Sequence, residues 1–446
     1  RGNPFANDFF NADRWGASAG HTWAPRREMT LSTNLYGAVF RRDWWRQSSN
    51  SRQRPNDSAD PLCGGMANLH STCGNEGRLR DYSVWGIEPK MRAGHRLGEA
   101  DFGLRLHFEN QERIQQNGQT PTARAGPTVE NNRRQARAVS SFAQNQFRFG
   151  RWTVTPGLRY ERVHYRRLNR LLSVSGENSL TNLIPGLGVA FNPSDRFTFF
   201  AGAHRGFAPP RVEDVINNST GASIELDPEL SWNYEAGARA RLSRSLRLEA
   251  TLFRMDFSNQ IVPSSVAGGL GAALTNAGET LHQGAELSGR WDWRSALGTR
   301  HSFHLRGAWT WLPEARYEGQ RYSTIPGFSR VLVTRNRLPY APEHLLNASL
   351  GYSHTSGLNA MLESVLTGRQ FGDDLNTRNG TPDGQQGILP GNAIWNATVN
   401  YPVEPLRASL FFAVKNLLNR TVIVDRSRGL LPGIPRLAQV GLQFSF

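Results

Sequence analysis

Segment after segment of this 446-residue chain alternates apolar and polar residues one for one. Tyr234, Ala236, Ala238, Ala240 and Leu242 alternate with Glu235, Gly237, Arg239 and Arg241. Ala393, Trp395, Ala397, Val399 and Tyr401 alternate with Asn396, Thr398 and Asn400. Ala408, Leu410, Phe412 and Val414 alternate with Ser409 and Lys415. The chain closes on Ala438, Val440, Leu442, Phe444 and Phe446, with Gln439, Gly441, Gln443 and Ser445 between them. A period of two gives each strand one oily and one polar face. Polar faces that carry Arg and Glu suit a wet lumen better than the dry interior of a sandwich.

The pattern yields about 17 strands, near 11–24, 28–44, 81–95, 99–112, 133–149, 152–166, 181–192, 196–206, 230–242, 246–262, 277–293, 300–313, 343–354, 358–370, 392–402, 406–416 and 436–446. Tight connections fall at Pro25–Arg27, Gly150–Arg151, Asn192–Asp195, Ser243–Ser245, His354–Gly357 and Pro402–Pro405. Long ones fall at 45–80, 113–132, 167–180, 207–229, 263–276, 314–342, 371–391 and 417–435. Sandwiches and propellers have no reason to alternate short and long links, whereas transmembrane barrels do, with short periplasmic turns and long outer loops. Strands above about ten residues also suit a tilted span of the bilayer. The expected fold class is therefore all-β, an antiparallel transmembrane β-barrel.

Composition agrees. Hydrophobic content is 38% and mean hydropathy −0.52. No run of about 18 apolar residues exists to make a transmembrane helix. Among twelve tryptophans, Trp23, Trp152, Trp291 and Trp293 fall on the short-turn side of the strands. Trp44, Trp45, Trp232, Trp309 and Trp311 fall on the long-loop side. Two aromatic girdles are expected from this placement.

Cys63 and Cys73, the only cysteines, share the longest early loop. Their spacing permits a disulfide that would trim the entropy of an exposed loop, with two unpaired thiols as the alternative. Two Cys without close His partners make a poor metal site, so no metal ligands are assigned.

The net charge is +15, and almost all of the basicity is Arg because only Lys90 and Lys415 are lysine. A GC-rich genome would produce that bias with no function behind it. An anionic partner would also explain it, because Arg meets carboxylates and phosphates through a planar fork. Arg spread over many loops, rather than gathered into one aromatic-laced patch, argues against nucleic acid. Ser, His and Asp lie scattered with no nucleophile elbow, and Asp373-Asp374 reads as a pair of solvated loop acids. No catalytic residue is assigned and no enzyme is expected.

The segments RGFAPP (205–210), DPELSWNYEAGAR (227–239), NAGETLHQGAEL (276–287), PYAPEHLLNASLGY (339–352), NLLNR (416–420) and PGIPR (432–436) resemble the barrel of TonB-dependent outer-membrane receptors. NPFANDFF (3–10), RRDWWRQSSNS (41–51), the Cys63/Cys73 loop and GIEPKMR (86–92) resemble the ferric-dicitrate branch. Phe446, with Phe444 and Leu442 on the same face, resembles the C-terminal signal that barrel-assembly machinery reads.

The resemblance implies a barrel of about 22 strands with a plugged lumen. Residues 1–446 would then be one partial barrel domain, lacking the N-terminal strands and the plug. It further implies energy-coupled uptake of a ferric chelate, citrate-like in this branch. The metal would arrive chelated, as cargo rather than as a bound cofactor. Implied partners are the TonB energy-transducing complex through the plug segment, the barrel-assembly machinery, lipopolysaccharide and the chelate itself. The expected state is a monomer in the cell outer membrane of a Gram-negative bacterium. Arg78, Arg80 and Arg426 are the expected ligand contacts, placed in outer loops. A passive porin and a surface glycan-binding β protein are the alternatives.

Overall fold

The computed structural model describes residues 8–47, 75–120, 122–263, 274–294, 300–325, 327–427 and 429–444. In chain order its strands begin with β1 (Phe9–Arg26), β2 (Met29–Gln47), β3 (Asn75–His95), β4 (Gly98–Gly118) and β5 (Thr128–Phe149). They continue with β6 (Trp152–Asn169), β7 (Val174–Ser194), β8 (Phe197–Ala208), β9 (Glu229–Arg241) and β10 (Leu246–Pro263). Next are β11 (Leu274–Arg294), β12 (His301–Glu318), β13 (His344–His354) and β14 (Asn359–Thr367). The short β15 (Gln370–Phe371) and β16 (Ile388–Leu389) precede β17 (Asn392–Val403) and β18 (Ala408–Lys415). The short β19 (Ile423–Asp425) and β20 (Leu431–Pro432) precede β21 (Leu437–Phe444). One helical turn, α1 (Val212–Val215), lies between β8 and β9.

Seventeen of these strands form one sheet, and β15–β16 and β19–β20 form two small loop hairpins. Neighbours in sequence pair antiparallel from β1 to β5 and from β9 to β14, after which β17, β18 and β21 follow in turn. The seventeen expected strands correspond one to one with the strands of this sheet. Among the described residues no helix is long and apolar enough to cross a membrane.

Register aligns the apolar faces. Ala397 lies beside Val414 and Val414 beside Ala438, while Val399, Phe412 and Val440 form the next row. Tyr401, Leu410 and Leu442 form another. A one-residue slip would turn every one of these side chains to the wrong face, so the alternation fixes the pairing. The apolar residues stay exposed: Leu442 and Phe444 are each 52% accessible and Val440 is 70%. A water-soluble sheet would bury such rows; a wall against lipid leaves them out. The tight turn Gly150–Arg151 uses a glycine at φ +59°, a left-handed conformation that a side chain would strain.

The described residues divide into two compact units, those within Arg1–Arg148, Val154–Leu187 and Phe207–Glu229, and those within Phe149–Thr153, Gly188–Gly206 and Leu230–Phe446.

Several strands run further than expected on the long-loop side. β3 starts at Asn75 instead of 81, β4 ends at Gly118 instead of 112, and β12 ends at Glu318 instead of 313. The connection expected at 167–180 shrinks to Arg170–Ser173, because β6 and β7 extend into it. Strict alternation of short and long links therefore breaks at this one place. The cause is physical: beyond the bilayer both faces of a strand are wet, so the period-two apolar signal fades while the backbone ladder continues. Arg78 and Arg80 consequently lie in β3 and Arg167 in β6, not in loops.

Trp23, Trp152 and Trp291 are exposed on the short-turn side, and Trp232, Trp309 and Trp311 on the long-loop side. Trp45 departs from the expected girdle. It is 3% exposed, because its ring covers Gly77 on the adjacent strand. Cys63, Cys73 and Phe446 lie outside the described residues.

Candidate ligand site

In the first unit, alternate residues of the outer strand ends converge on the polar face. Arg78 and Arg80 project from β3, Arg113 from β4, Glu130 and Arg134 from β5, and Arg167 from β6. These strands are 18–22 residues long, about twice what a tilted span needs. All these residues lie near the long-loop ends, beyond the spanning portion.

Glu130 is the hub. Its carboxylate pairs with Arg80 at 3.3 Å, Arg113 at 3.3 Å and Arg134 at 3.4 Å, and accepts a hydrogen bond from Asn132 at 2.9 Å. Burial alone would raise its pKa, but Arg113, the Asn132 hydrogen bond, Arg80 and Arg134 outweigh burial and hold it below the ordinary carboxylate value. Glu213 of α1 pairs with the same cations, with Arg113 at 3.3 Å and Arg134 at 2.6 Å. Its carboxyl is also held low, with burial again opposed first by Arg134.

Arg80 is 3% exposed and donates to the carbonyls of Leu79 and Ile114 at 3.0 and 2.6 Å. Desolvation, aided by Arg113, pushes its pKa down to about 10. Arg167 donates to the Ile216 carbonyl at 2.9 Å, and burial followed by Arg134 likewise lowers it to about 10. Arg78 pairs with buried Glu76. Leaving that pair aside, the four cations Arg80, Arg113, Arg134 and Arg167 face two anions, Glu130 and Glu213, so two positive charges are uncompensated. Arg134 Nε and Arg167 Nε are buried and lack hydrogen-bond partners among the described residues. Unmatched buried guanidinium donors are costly and accept an incoming carboxylate or phosphate readily.

The loop between β8 and β9 is fastened over this cluster. Val215 and Ile216 are 1% and 0% exposed. Tyr165 donates to the Pro210 carbonyl at 3.0 Å and Asn169 to the Asn218 carbonyl at 3.0 Å. Asn178 donates to the carbonyls of Val215 and Ile224, each at 3.2 Å. Burial raises the pKa of the Tyr165 hydroxyl, which keeps it a donor.

In the second unit, three long loops are joined by polar side chains. Arg426 is 7% exposed and donates to the carbonyls of Gly384, Gln386 and Ile388 at 3.0, 3.2 and 3.1 Å. Asp374 accepts from Ser323 Oγ at 2.7 Å and from the Thr324 amide and hydroxyl at 2.6 and 2.8 Å. Asp373 accepts from the amides of Thr377 and Gly387 at 3.1 and 3.0 Å. The expectation of solvated acids at Asp373-Asp374 is corrected here. They are 7% and 4% exposed, because loop amides and hydroxyls replace their water.

Arg78 and Arg80 are thus brought together with cations that sequence reasoning did not single out: Arg113, Arg134 and Arg167. Arg426 sits in the second unit with its fork committed to backbone oxygens. Glu130 and Glu213 were also missed. The signal for Glu130 was parity: once β3–β5 are extended, it falls on the polar face, opposite the apolar rows, whereas Glu213 lies on α1 and no strand period marks it. Among the described residues no group of His, Cys, Asp and Glu could hold a metal ion.

Several solved structures share this fold. The ferric citrate transporter FecA, unliganded, matches with a TM-score of 0.77 at 22% identity, over 98% of this chain and 62% of that one. The siderophore receptor PiuA from Acinetobacter baumannii matches with 0.73 at 13% identity, over 98% and 65%. The closed form of the ferric-catecholate import receptor Fiu from E. coli K12 matches with 0.71 at 14% identity, over 99% and 65%. The chain spans less than two thirds of the length of each. The family model described as TonB dependent receptor-like, beta-barrel, matches residues 1–417. The alternating strands, the exposed apolar rows and that match agree: the chain belongs to the TonB-dependent receptor β-barrel family.

Proposed function

We propose that the protein takes up an anionic ferric chelate of the citrate type across the outer membrane of a Gram-negative bacterium. The carrying observation is the cluster of Arg80, Arg113, Arg134 and Arg167 with two positive charges in excess. Carboxylates of the chelate would meet guanidinium forks there, with Arg78 exchanging Glu76 for ligand. Arg426 contributes by holding the loop that spans Gly384 to Ile388. The fold it shares with FecA, named as a ferric citrate transporter, supports this cargo.

In this reading the protein is a receptor and transporter, not an enzyme, and the iron is cargo. Release inward draws energy from the TonB complex through a plug segment. Barrel-assembly machinery inserts the protein, which works as a monomer amid lipopolysaccharide.

Titration of the full-length receptor with ferric citrate, beside a neutral hydroxamate chelate and vitamin B12, tests the cargo. Ferric citrate should bind most tightly. Losing one charge-assisted contact costs about 1.5–3 kcal/mol, so Arg78→Ala should weaken binding by roughly ten- to a hundredfold, and Arg426→Ala should weaken it through the loop that Arg426 holds. Preference for a neutral cargo, or no loss in either variant, rejects the citrate assignment.

A further inference from the structure

The apolar face of β1–β5 ends in a row of charges. Register sets Asp13 beside Arg41, Arg41 beside Asp81, Asp81 beside Glu112 and Glu112 beside Arg133. The row beneath is Trp15, Val39, Ser83, Asn110 and Gln135. Beneath that, Trp85 and Phe108 stack with centroids 4.0 Å apart, and Phe108 lies beside Arg137. Leu106 and Val139 then begin the continuous apolar band. A hollow of about 480 Å³ opens among Ser83, Trp85, Phe108, Asn110, Arg133 and Arg137.

Charge in this place is unbalanced. Glu112 is shared by Arg133 at 3.3 Å and Arg170 at 2.7 Å, and Arg133 also donates to Asn110 Oδ1 at 2.7 Å. Arg137 is exposed and has no ion-pair or hydrogen-bond partner among the described residues. Arg162 on β6 is the same: exposed, unpartnered, and turned away from its buried neighbours Glu161 and Val163. Glu161 accepts a hydrogen bond from Ser140, which sets this part of β6 against β5. Along this row and just beneath it, five guanidinia, Arg41, Arg133, Arg137, Arg162 and Arg170, therefore face three carboxylates, Asp13, Asp81 and Glu112. Two positive charges are left uncompensated where the polar and apolar parts of this face meet, and Arg137 and Arg162 are the guanidinia without a partner among the described residues.

An unpaired guanidinium beside lipid is costly unless it reaches an anion at the interface. A phosphate there accepts its fork through two parallel hydrogen bonds. A soluble anion would leave stacked Trp85 and Phe108 in water, so the occupant needs an apolar portion as well. We propose that Arg133, Arg137 and Arg162 bind the phosphorylated headgroup of an outer-leaflet glycolipid. Asn110 and Gln135 meet its sugar hydroxyls, and an acyl chain lies against Trp85 and Phe108. This rests on the outer-membrane reading given above.

The test uses the chain folded in neutral detergent, with binding of diphosphoryl lipid A followed by native mass spectrometry. Dephosphorylated lipid A and phosphatidylglycerol serve as comparisons. Diphosphoryl lipid A should bind at least about tenfold more tightly than either. The R133Q/R137Q double variant should lose at least about tenfold, and R137K should retain part of the binding. R41Q, at the far end of the charged row, should be unchanged. Equal binding of the dephosphorylated lipid or of phosphatidylglycerol overturns the proposal, as does an unaffected double variant. Should the double variant not fold, the lipid comparison on the unaltered chain decides alone. Insertion into phosphatidylcholine bilayers without phosphate-dependent lipid A binding overturns the lipid site and leaves the membrane reading standing. A chain that stays monodisperse without detergent overturns both.

Discussion

Replacing Glu213 by Gln should release the loop between β8 and β9. The carboxylate holds α1 against two guanidinia, at 2.6 Å from Arg134 and 3.3 Å from Arg113. A charge-assisted contact of this kind is worth about 1.5–3 kcal/mol. The Gln amide keeps the volume but not the charge, and Arg113 and Arg134 retain Glu130, so the lower part of that range applies. The Ile224 amide reports docking, since it donates to the Val215 carbonyl at 2.8 Å inside the loop. Its hydrogen exchange should quicken by about tenfold or more in E213Q, while β3 and β4 amides keep their rates. The same loop should open in acid. Glu213 titrates below its ordinary value of 4.5 in the docked loop, so its contribution is complete above that value and is lost as pH falls through the docked value. E213Q should lack this acid step. Unchanged Ile224 exchange in E213Q would refute the electrostatic argument and leave the packing of Val215 and Ile216 as the fastening.

Asp374→Ala should strip Ser323 and Thr324 of their acceptor and cost about 2–4 kcal/mol, read as increased proteolysis of the 319–343 loop with the strand spectrum intact; resistance equal to the parent would count against it. Arg426→Lys keeps the charge but cannot span three carbonyls, so it should loosen the 384–388 loop nearly as much as Arg426→Ala. Amide exchange at Gln386 and Ile388 distinguishes the outcomes, and protection kept in the Lys variant would show that charge alone suffices. In exported protein Cys63 and Cys73 should be linked, and a non-reduced digest containing free thiols would contradict this.

The wall was legible from local residue order. Alternation in 393–401, 408–414 and 438–444 fixes which side chains share a face, and the pairing of Val399 with Phe412 and Phe412 with Val440 follows from it. Side-chain direction in a strand is local, with a period of two, so no distant contact is needed to read it. The motifs that resemble the receptor family sit at strand ends and turns, where backbone geometry restricts residue choice. The ligand cluster was legible only in part. Arg80 stands out as a basic residue, but its partner Glu130 is 50 positions away in sequence, and Glu213 is 100 positions from Arg113, with which it pairs. Only antiparallel register brings β3, β4 and β5 side by side, and only the docked loop adds Glu213. The same limit explains Asp373 and Asp374, whose burial depends on loops folding over them. It also explains Arg426, whose charge suggested a ligand and whose surroundings make it a brace. Burial and charge balance are sums over neighbours from many strands, and tertiary structure alone decides which neighbours those are.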